Sequence, residues 1–155
     1  MANRIAGNRP VDILLVEDSP SDAHLMTEVF GETKFLKHLH VVKDGVEALN
    51  FLYRQGKYEH APRPALILLD LNLPKIDGSE LLAAIKTDPH LQLIPVVVLT
   101  TSATPADILN SYKLHANSYI VKPLDLDDFI EVVQAIVHFW LGVATLPADA
   151  LGTAC

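Results

Sequence analysis

The sequence predicts an α/β fold, a (βα)5 three-layer sandwich in which one five-stranded parallel sheet is covered by helices on both faces. Three observations carry that expectation. Five short runs rich in β-branched residues and leucine recur at 12–16, 39–43, 65–69, 95–99 and 118–121. Three of these runs lack polar alternation, as strands buried on both faces do. The segments between them carry apolar residues three and four apart, the spacing of helices packed on one side. Alternating strand and helix imply parallel strands joined by right-handed crossovers. Five such units suit the flavodoxin-like strand order 2-1-3-4-5.

Each helix has its own signals. Ser19 and Pro20 open the first, with Leu25, Val29 and Phe30 as its apolar stripe. A serine there can accept an orphan backbone N–H, and proline suits the first helical position. Val46, Leu49 and Leu52 mark the second helix, and Leu81, Leu82 and Ile85 mark the third, behind Asp77 and Gly78. Thr104 and Pro105 open the fourth, marked by Ile108, Leu109 and Tyr112. The fifth is expected over 126–143. A longer polar connection, 54–64, precedes the third strand. The chain is thus divided into an N-terminal arm (1–10), one domain (11–143) and a C-terminal tail of small residues (144–155), expected to be disordered. There is no internal repeat.

The last helix is apolar nearly all round. Setting Phe129, Val133, Ile136 and Trp140 inward leaves Ile130, Val132, Phe139, Leu141 and Val143 off the core stripe. Such a helix is buried on more than one side. The expectation is a homodimer through the fourth helix, fifth strand and fifth helix, with Ile130, Phe139 and Leu141 in the interface. The competing reading is a tail that folds back over the helix.

Composition excludes several classes. The net charge is −7 and no basic run exists, so a nucleic-acid surface is not expected. The single cysteine, Cys155, cannot form an internal disulfide, which fits a reducing, cytoplasmic setting. The first ten residues hold no apolar stretch, so no secretory signal is read there. No apolar run approaches the roughly 20 residues of a membrane span, and no membrane association is expected.

In an open parallel sheet, sites form at the carboxyl ends of the strands. Glu17 and Asp18 follow the first strand, Asp70 the third, Thr100 and Thr101 end the fourth, and Lys122 and Pro123 follow the fifth. In the order 2-1-3-4-5 these groups converge on one rim. Crowded carboxylates repel unless a cation joins them. Their hard oxygens suit Mg²⁺, or another divalent ion such as Mn²⁺. A carboxylate in such a site can attack phosphorus to give an aspartyl-phosphate. Lys122 and Thr100 would engage the transferred group. Taken singly, each residue has a duller role: a helix cap for Glu17 or Asp18, a loop residue for Lys122, a strand end for Thr100. Their convergence in the expected order favours chemistry.

The runs Leu15-Val-Glu-Asp-Ser19, Leu69-Asp-Leu-Asn-Leu-Pro-Lys-Ile-Asp-Gly78, Leu99-Thr-Thr-Ser102 and Tyr119-Ile-Val-Lys-Pro123 resemble those of response-regulator receiver domains, and the likeness covers about 12–141. The resemblance implies Asp70 as phosphoacceptor, Asp18 as a direct metal ligand, Glu17 as a water-bridged one and the Asn72 carbonyl as a further ligand. It implies that Thr100 and Tyr119 rearrange on phosphorylation, that Lys122 bridges to the phosphoryl group and that the bond from Lys122 to Pro123 is cis. Asn72 and Ser102 would flank the attacking water and tune phosphoryl lifetime. Glu17 departs from the Asp that many members carry, which lengthens its reach by one methylene. The connection 54–64, the run Leu114-His-Ala-Asn-Ser-Tyr119 and Phe139-Trp-Leu141 are similar to single-domain regulators paired with cyanobacterial phytochrome kinases. A sensor histidine kinase of the phytochrome type and a downstream phosphotransfer or target protein are the implied partners. With no output domain expected after the receiver, signalling would run through protein contact.

Other classes fit less well. Haloacid-dehalogenase-like phosphatases need a second Asp two residues after the nucleophile, where this chain has Asn72. In a flavodoxin, Glu17 and Asp18 would repel the flavin phosphate. No P-loop is present. The histidines His24, His38, His40, His60, His90, His115 and His138 are scattered, which argues against a histidine metal site. The chain is therefore expected to be a switch rather than an enzyme. A receiver acting only as a binding module, without phosphorylation, is the alternative.

Overall fold

The computed structural model describes residues 10–35 and 37–151. Residues 1–9 of the arm and Cys155 lie outside the described residues. The strands are β1 (Val11–Val16), β2 (Lys37–Val42), β3 (Leu66–Leu69), β4 (Val96–Thr100) and β5 (Ser118–Val121). They form one parallel sheet in the order β2-β1-β3-β4-β5. The expected fold is therefore the observed one, with strand ends shifted by a residue or two. The helices are α1 (Pro20–Gly31), α2 (Gly45–Leu52), α3 (Gly78–Thr87), α4 (Pro105–Lys113), α5 (Leu126–Val137) and a short α6 (Pro147–Leu151).

The period of two along each strand divides the core into two layers. Ile13, Leu15, Leu66, Leu68, Val97 and Leu99 face α1 and α5, meeting Met26, Val29, Phe30, Phe129, Val133 and Ile136. Leu14, Val16, Ile67, Leu69, Val96 and Val98 face α2 and α3, meeting Ala48, Phe51, Leu81, Leu82 and Ile85. Both faces of the three inner strands are thus dry, which is why their sequences show no polar alternation.

Each of the five larger helices starts on a polar side chain that accepts a backbone N–H: Ser19, Asp44, Asp77, Thr104 and Asp125. These caps satisfy orphan donors and fix where each strand-to-helix loop ends.

Several expectations need correction. In α1 the fully buried position is Met26 rather than Leu25, which only packs at the edge. In α2 the inward face is Ala48 and Phe51; Leu49 and Leu52 flank it and Val46 is exposed. In α4 only Ser111 is buried, and Leu109 and Tyr112 face outward. Apolar spacing named a stripe correctly there but not which side of it meets the sheet.

After α5 the chain continues as a wider π-helical turn, His138–Val143. That extra residue per turn slips the inward stripe, so Val137 and Leu141 are buried while Trp140 is only partly so. Leu141 is therefore a core residue, not an interface residue. Ile130 is also partly packed against the core, whereas Phe139 is half exposed. The tail is ordered as far as α6: Leu146 is buried in the same core cluster, and its backbone N–H donates to Asp149 Oδ2 at 2.7 Å. By length and composition alone, the stretch Leu126–Ala150 could cross a bilayer, contrary to the expectation that no run approaches that size. Its inward side packs onto α1 and the sheet, which is the position of a core helix.

Candidate functional site

The rim is assembled by three loops at the carboxyl edge. The backbone N–H of Asp70 donates to the Val16 carbonyl (3.1 Å) and that of Glu17 to the Val42 carbonyl (3.0 Å). Sheet hydrogen bonding thus extends one residue beyond β1 and β3 and sets both carboxylates side by side. One carboxylate oxygen from each of Glu17, Asp18 and Asp70 lies within 4.8 Å of the others. Glu17 and Asp70 are buried, and Asp18 is exposed.

Behind Asp70 the chain must turn tightly. The start of α3 lies so close to the β3 end that a Cβ on Gly78 would come within 2.4 Å of Leu71 Cα and 2.5 Å of the Asp70 carbonyl oxygen. Gly45 is similarly pressed: a Cβ there would come within 2.7 Å of the Ile76 carbonyl oxygen. Between them Lys75 takes a left-handed backbone (φ 68°), unusual for a residue with a side chain. The loop returns one bond to the acceptor: the Asn72 N–H donates to Asp70 Oδ1 at 3.1 Å.

Lys122 reaches the same point from the end of β5. Its backbone N–H donates to the Thr100 carbonyl (2.7 Å), and its ammonium donates to Glu17 Oε1 (2.6 Å), Asp22 Oδ2 (2.9 Å) and Asp70 Oδ2 (3.1 Å). The ammonium is buried, which disfavours its charge, yet the bonds to Glu17 and Asp22 and the attraction of Glu17 and Asp70 overcome that and hold its pKa above the usual lysine value. Glu17 shows the other side of this imbalance. Burial raises its pKa to about 7, against the pull of Lys122 and with help from the negative charge of Asp70. The pocket holds more carboxylates than cations, and one of them takes up a proton readily.

The resemblance implied a cis bond between Lys122 and Pro123. Among the described residues no peptide bond is cis, so this one is trans. The two isomers of an X–Pro bond differ by only about 0.5–1 kcal/mol, so local packing decides.

Thr100 is fully buried at the end of β4. Its hydroxyl lies 3.5 Å from the Ser102 N–H. The Tyr119 hydroxyl donates to the Ser102 carbonyl at 2.8 Å, tying β5 to the β4–α4 loop. Ser102 itself donates to Asp107 on α4. Glu17, Asp18, Asp70, Asn72 and Lys122 therefore meet at one point, with Thr100 at the end of the neighbouring strand and Ser102 and Tyr119 linked beyond it. Ile130, Phe139 and Leu141 lie elsewhere, on the last helix.

One residue was missed. Asp22, in the first turn of α1, shares the ammonium of Lys122. Asp22 lies within a helix rather than at a strand end, and its partner Lys122 is far along the chain, so nothing in its neighbourhood marked it.

The donor set is all hard oxygen on a buried floor with an exposed mouth, which suits a divalent cation. Comparison with known proteins agrees. The Response regulator Rcp1 of Synechocystis is 52% identical over 141 residues, covering 91% of this chain and 96% of that protein. The crystal structure of its Mn²⁺-bound form superposes with a TM-score of 0.88 over 90% of this chain and all of that one. The phosphorylated cyanobacterial phytochrome response regulator RcpA is 48% identical, with a TM-score of 0.86 over 89% of this chain and 99% of its own. The family model for the response regulator receiver domain matches residues 13–134, and the chain belongs to that family.

Proposed function

We propose that the chain is a phosphoacceptor switch in which Asp70 receives a phosphoryl group from a histidine kinase of the phytochrome type. The observation that carries this reading is the Asp70 carboxylate, set at the end of β3 between the Lys122 ammonium and the acidic pair Glu17 and Asp18. One oxygen of Asp70 forms the bond to phosphorus as the bond from phosphorus to the donor's imidazole nitrogen breaks, the electron pair leaving with the nitrogen. Lys122 is already within hydrogen-bond distance and would neutralise charge on the transferred oxygens. Asp18, Asp70 and the Asn72 carbonyl, with Glu17 behind them, would hold Mg²⁺ or Mn²⁺, which supplies charge neutralisation for the phosphoryl group.

A phosphoryl group adds about −1.5 to −2 of charge and strong acceptor oxygens. Thr100, at the end of the neighbouring strand β4, would offer its hydroxyl to them, and its movement would draw on the Ser102 carbonyl that Tyr119 holds. Asn72 and Ser102 stand on the two loops flanking the acceptor and would set its lifetime. The chain acts on itself rather than on a separate substrate, in the cytoplasm, and passes its state on by protein contact.

The same reading includes a homodimer. An open groove of about 570 Å³ runs beside β5, lined by Ile120, Val132, Ile136, Phe139 and Trp140. Together with the outward Leu109 and Tyr112 of α4, it supplies an apolar face on the side expected from sequence, though without Leu141. Burying such side chains at ~1.5–3 kcal/mol each could exceed an association cost of ~4–15 kcal/mol when a two-fold axis doubles them.

Labelling with a small phosphodonor and Mg²⁺ tests the central claim. Wild type should gain an acid-labile, hydroxylamine-sensitive phosphoryl group, and Asp70→Asn should gain none while keeping its fold. Labelling of Asp70→Asn at the wild-type level removes Asp70 as acceptor; an unlabelled wild type leaves a binding module.

A further inference from the structure

Lys122 has three N–H groups, and each has a carboxylate: Glu17, Asp22 and Asp70. Two of these belong to the acidic trio that clusters at the mouth of the site. Asp22 does not. It stands on a helix rather than at a strand end, its amide is held by the Ser19 hydroxyl at 3.3 Å, and its side chain is about one-third exposed. A phosphoryl group on Asp70 would claim one N–H of Lys122, and a cation would claim oxygens of Glu17 and Asp70. The acceptor that neither event consumes is Asp22.

We infer that Asp22 offsets the charge of the Lys122 ammonium it binds, so that the site binds an anionic phosphodonor less tightly than Lys122 alone would allow. Like charges repel, and Asp22 and Asp70 bond the same nitrogen, so any phosphate drawn to Lys122 comes close to the Asp22 carboxylate. Orientation of Lys122 does not depend on this charge, because Glu17 and Asp70 hold it from two other sides. An asparagine at position 22 keeps an oxygen for the ammonium and removes only the charge.

The inference rests on the phosphoacceptor reading, and the experiment separates the two. Initial rates of phosphorylation are measured against donor concentration at saturating Mg²⁺ for wild type, Asp22→Asn and Asp22→Glu. The donors are acetyl phosphate, a dianion, and phosphoramidate, whose net charge is smaller. Asp22→Asn should lower the half-saturating concentration of acetyl phosphate about three- to tenfold, with a smaller change for phosphoramidate and little change in the maximal rate. The gain should shrink as salt is raised toward 1 M, where screening acts over about 3 Å. Asp22→Glu, which keeps the charge, should stay near wild type. An unchanged or higher half-saturating concentration in Asp22→Asn, or equal shifts in Asn and Glu variants, overturns the charge-offset role. A wild type that takes phosphate from neither donor overturns the underlying reading instead.

Discussion

The slip of the core stripe in the last helix makes a quantitative prediction. Leu141 is 1% exposed and packs in the layer shared with α1, whereas Phe139, two residues earlier, is 49% exposed. Leu141→Ala removes three buried carbon atoms, worth ~0.8 kcal/mol each by transfer. Leu146 from the returning tail belongs to the same cluster, and such a site collapses incompletely, which adds a cavity cost. The expected loss is about 3 kcal/mol, or roughly 6–12 °C in Tm for a domain of this size. Phe139→Glu, at an exposed site, should cost about 1 kcal/mol or less but shift association toward monomer. Urea unfolding followed by circular dichroism, at a concentration low enough to hold monomer, reads the first effect; sedimentation velocity reads the second. If the sequence-derived stripe were right, Leu141→Ala would stay within about 0.5 kcal/mol of wild type and Trp140→Ala would be the damaging change. That outcome would refute the π-helical slip.

Asp18→Ala should weaken divalent-cation binding strongly and Glu17→Ala less so, because Asp18 lies at the exposed mouth while Glu17 is buried against Lys122. Equal Mg²⁺ affinity for wild type and Asp18→Ala in a titration would defeat the ligand assignment. Asp44, the cap of α2, carries a pH-dependent contribution. Burial pushes its pKa up, but the N–H of Glu47 at 2.8 Å and the Lys75 ammonium outweigh that and hold it below the ordinary carboxylate value. A depressed pKa stabilises the fold above the unfolded value of about 4, and the effect is lost as pH falls through the lower folded value. Asp44→Ala should therefore cost about 1–2 kcal/mol at pH 7, a gap that narrows below about pH 4. A gap that stays constant down to pH 2.5 in urea titrations would contradict the linkage.

The parts of this molecule written in short-range chemistry could be read in advance. Strand composition announced buried parallel strands, and the caps at Ser19, Asp77 and Thr104 announced where three helices begin, since each depends on residues within a few positions; the caps Asp44 and Asp125 were seen only in the structure. The rim residues were legible because strand order converts chain position into place: Glu17 and Asp70 follow adjacent inner strands, and Lys122 follows the edge strand β5 beside β4. What escaped depended on contacts far along the chain. Leu49 and Ala48 differ by one position, and only the rest of the sheet decides which of them faces it. The π-helical turn at His138–Val143 changes the period itself, so no fixed spacing could find Leu141. Asp22 was hidden because its partner is 100 positions away.

The distance between the chemistry and the apolar groove is short, and that follows from a four-residue strand. On β5 the side chains alternate: Tyr119 packs with the layer on the α2 and α3 side, and Ile120 with the layer on the α5 side. Lys122 follows immediately, its backbone bound to Thr100. Tyr119 is held at both ends, its N–H donating to the Tyr112 hydroxyl of α4 at 3.1 Å and its own hydroxyl donating to Ser102. A charge added at Asp70 acts on Lys122, and Lys122 and Thr100 are joined by a sheet hydrogen bond. The Ser102 loop, α4 and the groove are each one contact further on. No long relay is needed, because an edge strand at the C-terminal side of a parallel sheet puts the ammonium, the tyrosine and the groove wall on consecutive residues. The same argument explains why the site tolerates an excess of carboxylates. A sheet buried on both faces holds Glu17 and Asp70 in place against their repulsion, so the imbalance persists as a site that favours cations instead of relaxing away.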